Sequence, residues 1–354
     1  MEAEKRKSIA PMDDYLGISN LPFKLTRLAM LEVAFWGQNQ CSYQRADEIL
    51  RKKCGIELNY ETIRNVTNYV GRLVFKEDCH KADMAILRLD RGGLDFTNDK
   101  KGVLYIQTDG AALNTRTKDE TGSTWRENKL GEVFSSDNIY FWTDNKGERQ
   151  HKIKKKEYVS YVGSVNEFKK HLFACALRGG YGCYEETVIL SDGATWIRNM
   201  AQEMYPDAQQ ILDYFHLCEN VNDYAKCLFN QNEIKYKPWA KNICTALKNS
   251  EHKRVLKELE KSKNKELKNC STNLFGYICN NVDNIDYKNY EERGYFIGSG
   301  AIESGHKLIL QQRLKQAGMR WNVETAQPLL TLKCKSESGL WGSDVIDFIM
   351  QCNF

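Results

Sequence analysis

Two tripeptides in this 354-residue sequence could do the same chemistry, Asp109-Gly110-Ala111 and Asp192-Gly193-Ala194. Each follows an apolar, β-rich run, at 103–107 and 187–190, so each predicts an acid at the end of a strand with glycine beside it. Glycine lets backbone approach a ligand closely, and the ends of strands at an open sheet edge are where ligands bind. A third acid, Glu303, stands behind Gly298-Ser299-Gly300 in the first turn of a predicted helix, where the helix dipole favours a carboxylate. His306 and Lys307 project from the same side one turn on. Acids with little His or Cys around them suit a hard divalent cation such as Mg²⁺, which takes carboxylate, water and phosphate oxygens. A strand-ending turn would account for either tripeptide alone, because Asp and Gly are ordinary turn residues. The two together with Glu303 favour the metal site.

Asp213 and His216 form a second cluster after a short strand at 210–212. They are expected either to support that site or to fix a strand-to-helix turn as a buried polar pair. Cys79-His80 stands alone and no CxxC pair occurs, so no zinc-ligand spacing is present.

The elements that must position these residues change character along the chain. From 21 to 73 apolar residues recur at helical spacing (Leu25, Leu28, Leu31, then Ile63, Val66, Val70). Ser42 is expected to cap a helix reaching about Lys53, and Asn59 a second beginning at Tyr60, with Cys54-Gly55 as the break. This resembles a helix-turn-helix with Arg64 and Asn65 placed to reach DNA, although a plain helical bundle fits equally well. From 103 onward period-two alternation takes over. The first strand runs into Asp109, and two more are expected at 132–142 and 157–162. A helix over 166–177, a strand at 187–190, a helix over 196–204 and the strand at 210–212 complete a mixed α/β order.

Between Tyr224 and Cys270 there are eleven Lys and one Arg against five Glu. That excess predicts a solvated helical insertion with a face able to follow phosphates. A last helix is expected over 301–316, stopped by Gly318. The formal net charge of +4 permits an acidic partner without requiring one. Twelve cysteines scattered from Cys41 to Cys352 fit free thiols in a reducing cytoplasm better than a disulfide scaffold. A charged N-terminus and the lack of any apolar run of about 18 residues predict neither signal peptide nor membrane span.

Four segments taken together resemble bacterial insertion-sequence transposases of the Kra and Lre types, within the DDE transposases. They are Thr108-Asp109-Gly110-Ala111, Leu190-Ser191-Asp192-Gly193-Ala194-Thr195-Trp196-Ile197, Leu212-Asp213-Tyr214-Phe215-His216, and Gly298-Ser299-Gly300-Ala301-Ile302-Glu303-Ser304 continuing through Arg313 to Trp321. The resemblance spans 102–321. It implies an RNase H-like fold, a catalytic and metal-binding triad of Asp109, Asp192 and Glu303, and two Mg²⁺ or Mn²⁺ ions about 4 Å apart. Asp109 would bridge both ions. The implied reaction is cleavage of DNA at element ends and transfer of the freed 3′-OH into target DNA by a cytoplasmic, nucleoid-associated enzyme, with a homodimer as one arrangement for two ends. Lys307, Arg313, Lys315 and Arg320 are then expected on phosphates and Trp321 on an unpaired base or in the core. Family members commonly carry a cysteine-rich, zinc-binding segment ahead of a block like Pro11 to Gly17; the sequence starts just before that block, so a shortened copy is expected.

The expected organisation is a helical, DNA-binding domain at 1–95, a first core part at 96–222, the basic insertion at 223–293, a C-terminal catalytic helix in 294–340 and a tail at 341–354. A nuclease of the same fold without strand transfer, or an inactive DNA-binding relic, are the rival readings.

Overall fold

The computed structural model describes residues 11–15, 17–147, 149–261 and 273–353. Part of the lysine-rich stretch, 262–272, lies outside the described residues. The architecture is mixed α/β, a five-stranded mixed sheet flanked by helices, in the order β5-β2-β1-β6-β7. The strands are β1 (Lys100–Asn114), β2 (Trp125–Ser135), β3 (Ile139–Thr143), β4 (Arg149–Ile153), β5 (Glu157–Val162), β6 (Tyr184–Ser191) and β7 (Gln209–Leu212). β2 runs antiparallel to both β1 and β5, whereas β6 and β7 run parallel to β1. β3 and β4 form a separate two-stranded ribbon.

Ahead of the sheet come α1 (Pro11–Tyr15), α2 (Arg27–Asn39), α3 (Tyr43–Ile49) and the 31-residue α4 (Tyr60–Asp90). Ser42 accepts from Arg45 N at 3.1 Å and Asn59 from Thr62 N at 2.7 Å, so both expected caps form. α5 (Val165–Gly179) and α6 (Thr195–Met204) lie in the sheet's connections, followed by α7 (Tyr214–Leu228), α8 (Glu233–Lys248), α9 (His252–Glu260), α10 (Leu274–Asn280) and α11 (Tyr287–Glu292). The chain ends in α12 (Gly300–His306), α13 (Gln312–Leu314), α14 (Val323–Glu337) and α15 (Asp347–Gln351).

Strand alternation divides the core. Leu104, Ile106, Val133 and Ile189 face α5, α6 and Ala85 of α4. Tyr105, Phe134, Val188 and Leu190 face the helices of the insertion. Farther along that second face, Leu113, Leu130 and Val162 meet Ile302 of α12 and Leu329 and Leu330 of α14.

Five expectations change. The strand entering Asp109 does not stop there: β1 continues to Asn114 because β2 pairs with it throughout, Asn114 opposite Trp125. The strand expected over 132–142 is two, broken by a 3-10 turn at Ser136–Asn138. The helix expected over 301–316 begins at Gly300 and passes through a π-helical stretch, Lys307–Gln311. The insertion is not merely solvated. Its expected start at 223 falls inside α7, and Ile243, Leu247, Leu274 and Ile278 share one buried cluster with Val188 and Leu190. A fully buried side chain of that size contributes roughly 1.5–3 kcal/mol, so these helices form a structural layer over the sheet. The residues expected as a tail also pack, with Val345 and Ile349 buried among Met30, Val66 and Val70.

No helix among the described residues is long and apolar enough to cross a membrane. Where α4 crosses α14, a Cβ on Gly71 would lie 2.7 Å from Pro328 O, so only glycine permits the approach.

Candidate active site

The parallel pairing of β1 and β6 has Gln107 opposite Leu190 as its last matched pair. Two residues beyond it along each segment come Asp109, on β1, and Asp192, just past the end of β6, which the register therefore brings alongside each other. Each carboxylate is anchored by a local backbone donor: Asp109 Oδ1 accepts from Gly110 N at 2.7 Å and Asp192 Oδ1 from Ala194 N at 2.8 Å. Burial raises the pKa of Asp192; the Ala194 N–H opposes the rise and the neighbouring Asp109 charge adds to it. For Asp109 burial also raises the value, but contact with His306 and the Gly110 N–H outweigh it, so its carboxyl ends below the usual range. His306 Nε2 lies 3.3 Å from Asp109 Oδ2.

α12 is held over β1 and β2 by polar ties. Ile302 N donates to Gln107 Oε1 at 3.2 Å, and Lys156 Nζ lies 3.5 Å from Ala301 O. Ser299 N, just ahead of the helix, donates to Asp213 Oδ2 at 2.5 Å. Glu303 thus sits one turn, ~4.5 Å along the axis, before the histidine that touches Asp109. It is exposed, and its side chain makes no hydrogen bond or ion pair among the described residues. Among the described residues no three His, Cys, Asp or Glu side chains are gathered into a metal-holding group. The assembled part of the site is the aspartate pair, with Glu303 on the helix docked beside it.

Asp213 is fully buried and occupied by backbone. Its Oδ1 caps α7 by accepting from Phe215 N at 2.6 Å and His216 N at 2.9 Å, while Oδ2 takes Ser299 N. Of its two expected roles the geometry gives it the turn-fixing one, extended across the fold to the start of α12. His216 Nδ1 is 3.6 Å from Asp213 Oδ2. Asp213 raises the imidazole to about 9 against the opposing effect of burial, with Glu219 and Asp192 adding to the rise. A positive charge therefore stands by the aspartates at neutral pH.

Glu132 is a carboxylate that the sequence did not single out. It pairs across β2 with Gln107, is 0% exposed, and has Lys156 Nζ 3.4 Å from its Oε2. Burial pushes its carboxyl up to about 7, with Lys156 opposing. That value lies above the ordinary 4.5, so between the two the folded protein binds a proton that the unfolded chain does not. Stability must then fall as pH rises from about 4.5 to about 7, by on the order of 3 kcal/mol at ~1.4 kcal/mol per unit. Glu132→Gln is expected to remove this slope, leaving the protein more stable than wild type near pH 8. Urea midpoints near pH 5 and pH 8 test it, and an unchanged slope in the variant refutes the assignment.

Five of the residues expected on DNA come together elsewhere. Arg64, Asn65, Arg313, Arg320 and Trp321 line one cleft of about 850 Å³ between α4 and the loop after α13. Arg313 is buried there rather than projecting, 3% exposed, with its guanidinium 4.5 Å from the Tyr43 ring and 5.3 Å from the Trp321 ring. Trp321 is half-buried and donates from Nε1 to Leu314 O at 3.0 Å. Lys307 and Lys315 are exposed and lie outside the cleft. Gln107, Glu132 and Lys156 escaped the sequence reading because their burial is created by α12, far along the chain. His306 was placed on Glu303's side, but nothing local announced Asp109 as its partner.

Comparison with known protein families and with curated proteins finds no match for this chain.

Proposed function

We propose that this chain is a DDE transposase with an RNase H-like core, which cuts DNA at element ends and joins the resulting 3′-OH to target DNA. The observation that carries the reading is the aspartate pair on adjacent parallel strands, with Glu303 on a helix tied to the same strand through Gln107 and His306. Three strands in antiparallel succession followed by two parallel ones, with helices on both faces, support the fold assignment. α3 and α4, each capped by its own side chain, support a helix-turn-helix-like arrangement of the N-terminal helices.

The donor set fits Mg²⁺ or Mn²⁺. Asp109 and Asp192 offer hard oxygen donors whose charges repel each other, and the Glu303 carboxylate has no partner among the described residues. Two such ions, when bound, would supply Lewis-acid stabilisation of the attacking and leaving oxygens of a phosphodiester. The protein's own part is positional and electrostatic. Asp213 and Gln107 fix the start of α12, His306 orients Asp109, and the His216 charge favours the ionised form of Asp192. The partner is duplex DNA, and action on two ends would call for two copies of the chain.

The test is incubation of the full chain with labelled duplex carrying the ends that flank its coding sequence, with and without Mg²⁺, alongside a pre-cleaved substrate bearing a 3′-OH. Metal-dependent cutting and joining of the pre-cleaved end to a second duplex is the expected result. Cutting without joining favours the nuclease reading, and binding without metal-dependent cutting overturns both.

A further inference from the structure

The cleft beside α4 collects five arginines, Arg64, Arg72, Arg116, Arg313 and Arg320, and no Asp or Glu among the described residues lines it. None of the five forms an ion pair among the described residues, although cationic partners elsewhere on this surface pair freely, as Arg45 does with Glu48 and Arg51 with Asp47. Four of them are exposed. The fifth, Arg313, is buried with Nη1 donating to Cys41 O at 3.3 Å, and its Nε and Nη2 meet no hydrogen-bond acceptor in good geometry among the described residues. Five like charges gathered without a carboxylate repel one another, and a buried guanidinium with unmet donors carries a desolvation cost. An anion placed there relieves both.

Aromatic rings are interleaved with these charges. Tyr43 and Trp321 flank Arg313, and Phe23, 41% exposed, lines the same cleft and meets Tyr69 edge-on at 5.7 Å. Rings offer stacking surface only to bases whose faces are free, which a duplex does not present. The shape agrees. Duplex readers insert a protruding helix or ribbon into a groove about 12 Å wide, whereas this feature is concave. Its volume, about 850 Å³, is that of a pocket enclosing a small molecule. The walls are also fixed. Trp321 N donates to Asn114 O at 3.1 Å and Arg116 N to Trp321 O at 2.9 Å, zipping the loop after α13 onto the end of β1.

We infer that this cleft binds single-stranded nucleic acid, with one or two nucleotides seated in it, phosphates on the arginines and an unstacked base against the rings. This binding goes beyond the two-metal reading, since it requires none of the carboxylates. β1 nevertheless links the two places: from Asp109 to Asn114 is five residues, roughly 17 Å at the rise of a strand. A strand held in the cleft lies a few nucleotides from the aspartates.

The experiment is fluorescence anisotropy of a labelled ten-nucleotide oligo-dT with the full chain, at two salt concentrations. Arg64→Ala with Arg320→Ala, both at exposed positions, is expected to weaken binding at least tenfold. At about 0.7 per phosphate contact, it should also lower the salt slope by about 1.4. An abasic oligonucleotide with the same phosphates is expected to bind several-fold more weakly than oligo-dT. Asp109→Asn is expected to bind as wild type, so a failure of the cleavage reading leaves this result standing. The inference is overturned if the double variant binds oligo-dT as tightly as wild type, or if the abasic probe binds equally well.

Discussion

Asp109→Asn is expected to lower metal-dependent DNA cleavage by at least about 10²-fold, the scale on which loss of one preorganised stabiliser of transition-state charge is felt. The change removes one charge while keeping the shape of the side chain. The Gly110 N–H can still be accepted by the amide oxygen, so the strand is expected to hold. What disappears is the anion beside Asp192. Asp192, no longer pushed upward by that neighbour, should ionise more readily. A loss of cleavage in the variant therefore cannot be put down to a protonated Asp192. Turnover of labelled duplex is the measurement, with DNA binding followed separately and expected to change little. A variant that cuts at the wild-type rate would remove the catalytic assignment.

The largest effect on stability is expected at Asp213. Its carboxylate accepts three backbone N–H groups, from Phe215, His216 and Ser299, in a fully buried position. Losing a helix cap costs about 1 kcal/mol, and each further buried donor left unmet roughly 1–3 kcal/mol. Asp213→Ala should thus destabilise by about 3 kcal/mol or more, read from urea unfolding. Because Ser299 leads into α12, cleavage should fall as well, even though Asp213 is placed as a positioning residue. The same cluster sets two pH limits. Asp213 has a depressed folded pKa, so its contribution is present above the ordinary 3.8 and is lost as pH falls through the folded value. His216 is raised from 6.5 to about 9, so its contribution is full below 6.5 and disappears as pH rises through about 9. In a His216→Ala protein the alkaline decline between those values should flatten; an identical decline would detach it from this residue.

Much of the framework was legible because its signals are local. The caps at Ser42 and Asn59 and the strands ending at Ser191 and Leu212 are each written in a few adjacent residues. Asp109-Gly110-Ala111 misled for the same reason. They read as the end of a strand, and only pairing with β2 carries β1 on to Asn114. The aspartate pair could be nominated from two similar tripeptides, but that they lie alongside each other depends on parallel register, which the sequence does not announce. The lysines of the insertion gave its solvated side correctly and hid the other, since Ile243 and Leu247 find their partners on β6. Arg313 looked like a surface phosphate ligand. Its burial against Tyr43 joins two segments that are 270 residues apart.

α4 gives the molecule a mechanical property of its own. At 1.5 Å per residue its 31 residues reach roughly 46 Å. Ile63, Val66 and Val70 near one end are buried with the chain's last helices, and Ala85 near the other is buried against α5 and α6 behind the sheet. One unbroken rod therefore runs from the arginine cleft to the reverse side of the strands that carry the aspartates. The segment preceding the sheet cannot swing as a tethered lobe, and a load applied at one end of the rod is carried to the other.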